Sequence, residues 1–352
     1  MPLFVSIKKT FGAFNLDVEM EAGDGSATGI LGASGSGKSL TLKCIAGLHT
    51  PDEGRIAIDG EVLFDSRLKI NLPPRKRRVG YMFQNYALFP NMTVEQNIGA
   101  GAPGRGADKK LLVAGYIRRF YLEGLERRYP AQLSGGQGQR VALARMLAAK
   151  PRVILMDEPL SSVDGHLRWQ LEKGLQELLA GFGGPSLVVS HDCGELYRLC
   201  RRVAILDAGR VDSRGEKEVL YEKPATLAGA RLIGCKNISR ARKLSEHEVE
   251  AVDWREVLTT AGPVRPDILY VGVQAQAFRE AGERKQNTVQ CVIEKIVDNV
   301  KNEIILARPA GVMPPNDEAS IYWESPKDRR KRRVGETLWL LVEAEDILQL
   351  GL

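Results

Sequence analysis

Residues 28–48 read TGILGASGSGKSLTLKCIAGL: a strand-like run, a glycine-rich turn and a helix-compatible run in succession. The turn fits the pattern G-x-x-x-x-G-K-[ST], in which backbone N–H groups and the positive end of the following helix face one anion. It consists of Gly32, Ala33, Ser34, Gly35, Ser36, Gly37, Lys38 and Ser39. The stretch therefore predicts a P-loop α/β domain that binds nucleotide phosphates, rather than a glycine-rich turn without a ligand.

Two side chains at the end of this turn have distinct expected roles. Lys38 places a point charge next to the β- and γ-phosphate oxygens, which is the task of the lysine in this pattern. Ser39 supplies a hydroxyl oxygen of the kind that Mg²⁺ accepts as a ligand, since this ion keeps several waters and takes few protein groups. The turn thus predicts ATP with Mg²⁺ as the bound species.

A second feature is a pair of adjacent acids, Asp157 and Glu158, directly after the apolar run Val153–Met156. Such a run fits a central strand, and open α/β sheets bind ligands at the carboxyl ends of their strands. Alone, the pair could be a solvent-facing strand end. Beside the phosphate-binding turn, it predicts that Asp157 holds the magnesium shell and that Glu158 orients or deprotonates the water attacking the γ-phosphate.

His191 follows another strand-like run, Leu187–Val189, and we expect it at the same edge of the sheet as Glu158. It can contact the γ-phosphate and its attacking water. A single histidine at a strand end is more often an ordinary surface residue, so the local pattern alone leaves its role open.

A second glycine-rich helix start lies at Ser134, Gly135, Gly136 and Gln137, just upstream of the acidic strand. With this string the sequence resembles the ABC ATPase family. In that family the string of one subunit closes over ATP held by the other, so the resemblance implies a head-to-tail homodimer with two nucleotides at its interface. Gly138 departs from the family pattern, in which a longer side chain is usual, and we expect it to affect helix stability more than chemistry.

Other elements of the same resemblance occur in the expected order along the chain. Gln84 matches the glutamine that contacts magnesium and the attacking water and senses the membrane partner, and His191 matches the switch histidine. Asp164 matches the loop that crosses the dimer interface. Phe11 lies where the family stacks an aromatic ring on adenine, with Phe14 as the alternative and an ordinary structural aromatic as an equally favoured interpretation.

The chain is long enough for two domains. Residues 1–235 alternate strand-like and helix-like runs, which predicts a largely parallel sheet, with a helical insertion at about 93–140. Residues 236–352 contain short strand candidates broken by Gly, Pro and Asn, which predicts a small all-β domain. This part resembles the TOBE/MOP-like regulatory domain of bacterial importer ATPases, so an importer is expected.

Two segments make the molybdate importers the best match within that group: Val62–Ser66 and the run Ile70–Tyr81. Looser similarities occur at Tyr322–Pro326 and Gly335–Trp339. An ATPase subunit does not itself select the solute, so sulfate, iron, polyamine or a sugar stay open. The β domain is also a candidate for binding a regulatory oxyanion.

Composition sets further limits. Hydrophobic residues make up 43% and charged residues 27%, which is typical of a folded globular protein. Five scattered cysteines without a C-x-x-C pair argue against a zinc or redox site. Part of the +6 net charge lies in the runs Arg75–Arg78 and Arg329–Arg333, which we expect to be solvated surface rather than nucleic-acid contacts.

The expected partners follow from these features. No stretch has the apolar length of a membrane-spanning helix, and the first ten residues lack a signal-peptide pattern. We therefore expect a peripheral subunit at the cytoplasmic face of the membrane, joined to transmembrane permease subunits and indirectly to a solute-binding protein. The alternative class is a soluble ABC ATPase acting on nucleic acid or ribosomes; the single phosphate-binding turn and single signature disfavour its usual duplicated cassette.

Overall fold

The computed structural model describes residues 2–23, 25–161, 165–312, 319–327 and 332–352. Its internal contacts divide the chain into two compact units, residues 1–217 and 218–352. The division lies before the expected boundary at residue 235, because residues shortly after 217 are hydrogen-bonded to Gly351 of the second unit. Leu227 N–H donates to Gly351 O, and Gly351 N–H donates to Ala225 O.

The first unit combines strands and helices in alternation. Its strands are β1 (Leu3–Phe11), β2 (Phe14–Ala22), β3 (Ala27–Leu31), β4 (Glu53–Ile58), β5 (Glu61–Asp65), β6 (Ile70–Asn71), β7 (Val79–Met82), β8 (Val153–Asp157), β9 (Ser186–Ser190), β10 (Arg202–Asp207) and β11 (Arg210–Glu216). Its helices are α1 (Lys38–Ala46), α2 (Pro74–Arg77), α3 (Val94–Gly101), α4 (Gly106–Arg119), α5 (Gly135–Ala148), α6 (Gly165–Ala180) and α7 (Cys193–Leu199).

These strands form one sheet in the order β6-β5-β4-β1-β2-β11-β10-β3-β9-β8-β7. The neighbours β10, β3, β9, β8 and β7 run parallel, whereas β6, β5, β4, β1 and β2 pair antiparallel, as do β10 and β11. The expectation of a largely parallel sheet was therefore wrong for about half of it. Strand-like runs joined by short turns, as in β1–β2 and β4–β5, pair as hairpins, which do not need a crossover helix.

The parallel strands β3, β8 and β9 are buried along their whole length, as their continuous apolar sequences require. Their register aligns Leu31 with Ser190 and Asp157 with Val189. The residues that follow these strands therefore meet at one edge of the sheet, the edge where ligands bind in such folds.

The helical insertion expected at about 93–140 contains α3, α4 and the start of α5, which continues to Ala148. Thr93 caps α3 in a reciprocal pair with Gln96, which fixes where the helix begins. Apolar side chains from the three helices, including Ile98, Ile117 and Val141, form a separate small core. This core supports α5, whose first residues carry the second glycine-rich string. In the described ranges, no helix is long and apolar enough to cross a membrane.

One residue of the first basic run, Arg77, is 1% exposed, so the expectation of solvated surface was wrong for it. Its guanidinium donates to Cys44 O and Ile45 O, each at 2.8 Å, and to Leu72 O at 2.7 Å. The first two carbonyls lie in the last turn of α1, where a cation offsets the negative helix end. Arg77 therefore anchors the helix that begins with Lys38, a contact that the run's composition does not reveal.

Replacing Arg77 with Met is expected to lower the free energy of unfolding of the first unit by about 3 kcal/mol, because several buried carbonyls lose their donors. Hydrogen exchange resolved along the chain measures this unit separately from the second. The matched control is Arg75→Met, since Arg75 lies in the same run and is exposed. Equal protection of α1 in both variants would contradict the anchoring role.

The second unit consists of β-strands preceded by short helices. Its helices are α8 (Lys217–Glu222), which starts at the last residue of the first unit, and α9 (Leu227–Leu232). Its strands are β12 (Asn237–Lys243), β13 (Glu248–Ala251), β14 (Glu256–Thr259), β15 (Tyr270–Val273), β16 (Arg279–Ala281), β17 (Thr288–Asp298), β18 (Asn302–Pro309), β19 (Ile321–Pro326), β20 (Thr337–Leu341) and β21 (Leu348–Leu350).

These strands form two five-stranded antiparallel sheets, in the orders β14-β13-β12-β15-β21 and β16-β20-β17-β18-β19. One core joins their inner faces, with Trp254 and Phe278 packed edge to face at 6.3 Å between ring centres. Alternating buried and half-exposed positions along β18 and β20 are the pattern of strands with one face on a core. The expected all-β region after the α/β part is thus confirmed.

Arg332, in the second basic run, is also buried, with its side chain 3% exposed. Its guanidinium lies 4.7 Å from the ring centre of Trp323 and pairs with Glu280 and Glu303. Two carboxylates and an aromatic face together offset the cost of burying this charge. The expectation of solvated surface was wrong for Arg332, while residues 328–331 lie outside the described part of the chain.

Candidate nucleotide-binding and catalytic site

The phosphate-binding turn has the backbone that its glycines predict. Gly35 and Gly37 have φ values of 81° and 103°, a region that L side chains rarely adopt. A Cβ on Gly32 would come within 2.4 Å of the backbone oxygen of Leu206. Gly32 is therefore required by the close approach of β10, and the other two by the conformation of the turn.

Lys38 begins α1 and extends back over the turn. Its Nζ donates to Gly32 O and Ala33 O, both at 2.8 Å, and the residue is 5% exposed. Burial lowers the pKa of Lys38, while the neighbouring carboxylates of Glu158 and Asp157 act in the opposite direction. An ammonium group has three N–H donors, and these two bonds use two of them. The positive charge is thus held at the mouth of the turn with one donor available for an anion.

Ser39 and Asp157 bring two oxygen ligands together. Ser39 Oγ donates to Asp157 Oδ1 at 2.7 Å, although the residues are far apart in sequence. Hydroxyl and carboxylate oxygens are the donor types that Mg²⁺ prefers, so the residues present fit this ion.

Tyr81 is a site residue that the sequence did not single out. Its hydroxyl donates to Asp157 Oδ2 at 2.9 Å, because β7 runs beside β8 and places Tyr81 opposite Leu155. Burial, together with the charge of Asp157, raises the pKa of Tyr81, so it stays a proton donor. The available signal was its position three residues before Gln84, which the resemblance placed at the site.

Glu158 is where three segments of the chain meet. His191 Nδ1 lies 3.1 Å from Glu158 Oε1, and Gln84 Nε2 donates to Glu158 Oε2 at 3.3 Å. The backbone φ of Glu158 is 48°, an unusual value for a residue with a side chain, and its N–H donates to Val189 O at 2.9 Å. Strained backbone held by its surroundings is concentrated at functional sites. The structure thus brings together Glu158, His191 and Gln84, although Gln84 contacts the carboxylate rather than Ser39 or Asp157.

The second glycine-rich string caps α5. Ser134 Oγ accepts from Gln137 N–H at 3.3 Å, and Gln137 Oε1 accepts from Ser134 N–H at 3.0 Å, a reciprocal capping pair. Ser134 and Gly135 are exposed, whereas Gly136 is buried beside Leu171. Among the described residues, no hydrogen bond joins this string to the phosphate-binding turn of the same chain. Asp164, expected at a dimer interface, lies outside the described residues.

The two candidate adenine-stacking rings differ in exposure. Phe11 ends β1 and is 59% exposed, and its ring lies edge to face with His49 at 6.0 Å between ring centres. Phe14 is half-buried and touches the turn itself, since a Cβ on Gly37 would lie 3.0 Å from Phe14 Cζ. Phe11 therefore has a ring face available for a ligand, whereas Phe14 packs against Gly37 of the phosphate-binding turn.

Comparison with known proteins agrees with this geometry. The family model described as ABC transporter matches residues 16–161. The molybdenum import ATP-binding protein ModC of Paramagnetospirillum magneticum is 41% identical over 223 residues, a match that covers 63% of this chain and 61% of that protein. The spermidine/putrescine import ATP-binding protein PotA of Rubrobacter xylanophilus is 36% identical over 365 residues, covering 98% of this chain and 92% of that protein.

A solved structure extends the comparison to three dimensions. The match is an ATP-binding cassette in a dimeric post-hydrolysis state, bound to ADP and phosphate. Its TM-score is 0.52 and its sequence identity 29%, and the match covers 62% of this chain and 99% of that one. The similarity to PotA spans both units of the chain, whereas the match with ModC spans about three fifths of that protein. With the phosphate-binding turn, the paired acids and the second glycine-rich string in one α/β unit, and with the similarity to PotA along almost its whole length, the chain belongs to the ABC transporter family.

Proposed function

We propose that this chain hydrolyses MgATP as a head-to-tail homodimer and drives solute uptake through transmembrane permease subunits at the cytoplasmic face of the membrane. The observation that carries the proposal is the Glu158 carboxylate, which stands on a strained backbone between His191 and Gln84 beside the Lys38 turn. These are the parts that phosphoryl transfer to water needs: an anion cradle, a charge and a carboxylate that orients the nucleophile.

In this proposal the N–H groups of the turn Gly32–Ser39 bind the β- and γ-phosphates. The third N–H of the Lys38 ammonium donates a hydrogen bond to a phosphate oxygen. Ser39 and Asp157 would hold Mg²⁺, with Tyr81 fixing the orientation of the Asp157 carboxylate. The ion, when bound, offsets the negative charge that develops on the phosphate oxygens. No bond of the protein is made or broken in these steps, so binding and orientation are the whole contribution of these residues.

Glu158 is proposed to orient and deprotonate the attacking water. His191 Nδ1 and Gln84 Nε2 each contact one oxygen of its carboxylate, which restricts the direction in which that carboxylate points. An ordered carboxylate near the phosphate-binding turn can accept the proton of a water aligned with the γ-phosphate. Gln84 also begins the segment leading to the helical insertion, which supports the expected sensing of the permease.

The site is completed by a second copy of the chain. The exposed N-terminal end of α5, with Ser134, Gly135, Gly136 and Gln137, presents backbone N–H groups that suit an anion. Since no hydrogen bond among the described residues links it to the turn of its own chain, we propose that it meets the nucleotide of the partner subunit. Asp164 is proposed to lie at the same interface. The dimeric state of the structurally similar cassette supports this arrangement.

Phe11 is proposed to stack on adenine. Replacing Phe11 with Ala is expected to raise the Kd for ATP about 10-fold, because stacking of a base on an aromatic ring contributes about 1–3 kcal/mol. Phe11→Trp should restore affinity, since a larger ring offers the same face. Isothermal titration with ATP and with inorganic triphosphate tests this, and an equal loss of affinity for triphosphate would contradict stacking.

Molybdate is the proposed solute, on the sequence resemblance and on the similarity to ModC, while similarity to PotA supports a polyamine importer. The test is phosphate release by the chain with its permease partner, titrated with molybdate, sulfate and spermidine and their binding proteins. Stimulation by molybdate alone would support the proposal. Turnover stimulated by another solute would replace molybdate as the proposed solute, and turnover stimulated only by nucleic acid would contradict the proposed importer function.

The regulatory oxyanion site proposed for the second unit is tested by equilibrium dialysis of molybdate against the full chain.

A further inference from the structure

His191 occupies an exposed position. Its side chain is 60% exposed, and the contact of its ring is with Glu158, at 3.1 Å. A side chain with so much solvent around it is not held in place by packing. Its direction must therefore depend on the backbone turn that carries it, residues 190–192.

This turn is fixed from both sides of the histidine. Ser190 Oγ accepts from Asp192 N–H at 3.0 Å and donates to Glu195 Oε2 at 2.9 Å. Asp192 Oδ1 accepts from Glu195 N–H at 3.0 Å, which caps α7. Ser190 and Asp192, the two neighbours of His191, thus both bond to Glu195.

Arg168, on α6, closes the network from another element. Its Nη2 lies 2.7 Å from Asp192 Oδ2 and 3.5 Å from Glu195 Oε2. The Glu195 side chain is 2% exposed, and its Oε1 has no hydrogen-bond partner among the described residues. A buried carboxylate needs a nearby positive charge to stay ionised without a large cost. Arg168 supplies that charge and at the same time bonds to the residue after His191.

A second ion pair joins the same helices with the charges exchanged. Arg198 of α7 pairs with Glu172 of α6, one turn further along each helix. Among the described residues, no hydrogen bond or ion pair joins this pair to residues 190–192; Glu172 is the main cause that raises the pKa of Arg198, and the charges of Asp192 and Glu195 add to it. The pair therefore provides a chemically matched control for any effect that comes only from joining α6 to α7.

We propose that Arg168 and Glu195 are positioning residues for the proposed ATPase reaction, which hold the turn 190–192 so that the His191 imidazole meets the Glu158 carboxylate. The inference rests on the proposed function of Glu158 and His191. Arg168 lies on the helix that directly follows residues 162–164, so the network also links the histidine turn to the helix after Asp164. Neither residue touches the reacting atoms; both act through His191.

The first experiment observes His191 directly and does not depend on activity. The chain contains four histidines, so ring ¹³C labelling gives few signals, and His191→Gln identifies the one from His191. Glu158→Gln should shift this signal, because the ring then contacts a neutral amide instead of a charged carboxylate. In the variant Arg168→Met/Glu195→Gln, which removes both charges together, the signal should move and should no longer respond to Glu158→Gln. In the control Arg198→Met/Glu172→Gln it should stay where it is in the unchanged chain.

The second experiment is steady-state ATP hydrolysis. Arg168→Met/Glu195→Gln should lower kcat about 10-fold while KM for ATP changes less than about 2-fold, since a misplaced catalytic group affects the transition state more than binding. In a His191→Gln background the same double substitution should cause no further loss of kcat, because it acts through His191, which is no longer present. The control pair should leave kcat unchanged.

Three results would overturn the proposal. One is an unmoved His191 signal in Arg168→Met/Glu195→Gln. Another is an equal shift of this signal in the control pair, which would show only a general loosening of α6 and α7. The third is a full additional loss of kcat in the His191→Gln background. If the unchanged chain hydrolysed no ATP, the proposed function would fail while the ¹³C signals still decided whether this network holds His191.

Discussion

Replacing Glu158 with Gln is expected to lower the rate of ATP hydrolysis about a thousandfold, the middle of the range for losing a general base. Gln has nearly the same shape and keeps the hydrogen-bonding positions toward Gln84 and His191, but cannot accept the proton of the attacking water. ATP binding should persist, so the variant should accumulate as a dimer with ATP at both sites. Single-turnover phosphate release measures the rate, and light scattering after gel filtration measures the dimer.

The matched control for this change is Glu21→Gln, an exposed carboxylate on β2. It should hydrolyse ATP at the rate of the unchanged chain. Turnover of Glu158→Gln within a few-fold of that rate would remove Glu158 from its assigned role, even if the dimer still formed. Loss of ATP binding in the variant would instead indicate that the carboxylate supports the turn, through the Coulomb interaction it has with Lys38.

Replacing Lys38 with Met is expected to weaken ATP binding by up to about 100-fold, because a hydrogen bond to a charged group contributes about 1.5–3 kcal/mol and each 1.4 kcal/mol is tenfold in Kd. The loss should be much smaller for AMP, which lacks the β- and γ-phosphates that the charge contacts. Fluorescence titration with ATP, ADP and AMP derivatives measures this difference.

Lys8→Met is the control for Lys38, since Lys8 lies on β1 with its side chain 61% exposed. It should bind all three nucleotides as the unchanged chain does. Because Lys38 also donates to Gly32 O and Ala33 O, the thermal midpoint of each variant has to be measured alongside. An unfolded turn would weaken AMP and ATP binding alike, whereas loss of the charge alone would weaken ATP binding selectively.

Much of the site follows from local sequence. The turn Gly32–Ser39 is specified because its glycines adopt backbone conformations that other residues avoid, and because a strand and a helix flank it. Asp157 and Glu158 were placed at the ligand edge because an apolar run of strand length precedes them. Fold class, nucleotide-binding motif and the all-β second region could therefore be predicted from the sequence.

Other features could not be predicted from the sequence, because they depend on which segments of the chain become neighbours in the fold. Arg77 and Arg332 lie in basic runs typical of solvated surface, yet packing encloses both, one against carbonyls of α1 and the other against Trp323. Tyr81 reaches Asp157 only through the pairing of β7 with β8. The chain's division after residue 217 likewise goes with contacts between residues distant in sequence, the hydrogen bonds of Ala225 and Leu227 with Gly351.

By itself, the sequence determined which residue types stand at the ends of its predicted elements: a glycine-rich turn with its lysine, two adjacent acids and a histidine. Only the tertiary structure decided how those groups meet, with His191 3.1 Å from Glu158 and its turn held by Arg168 from another helix. The physical reason is that backbone conformation and hydrophobic period are local properties of a chain. Ion pairs, burial and strand register arise between residues that are distant in sequence, so they are set only when the sheet and its helices pack together.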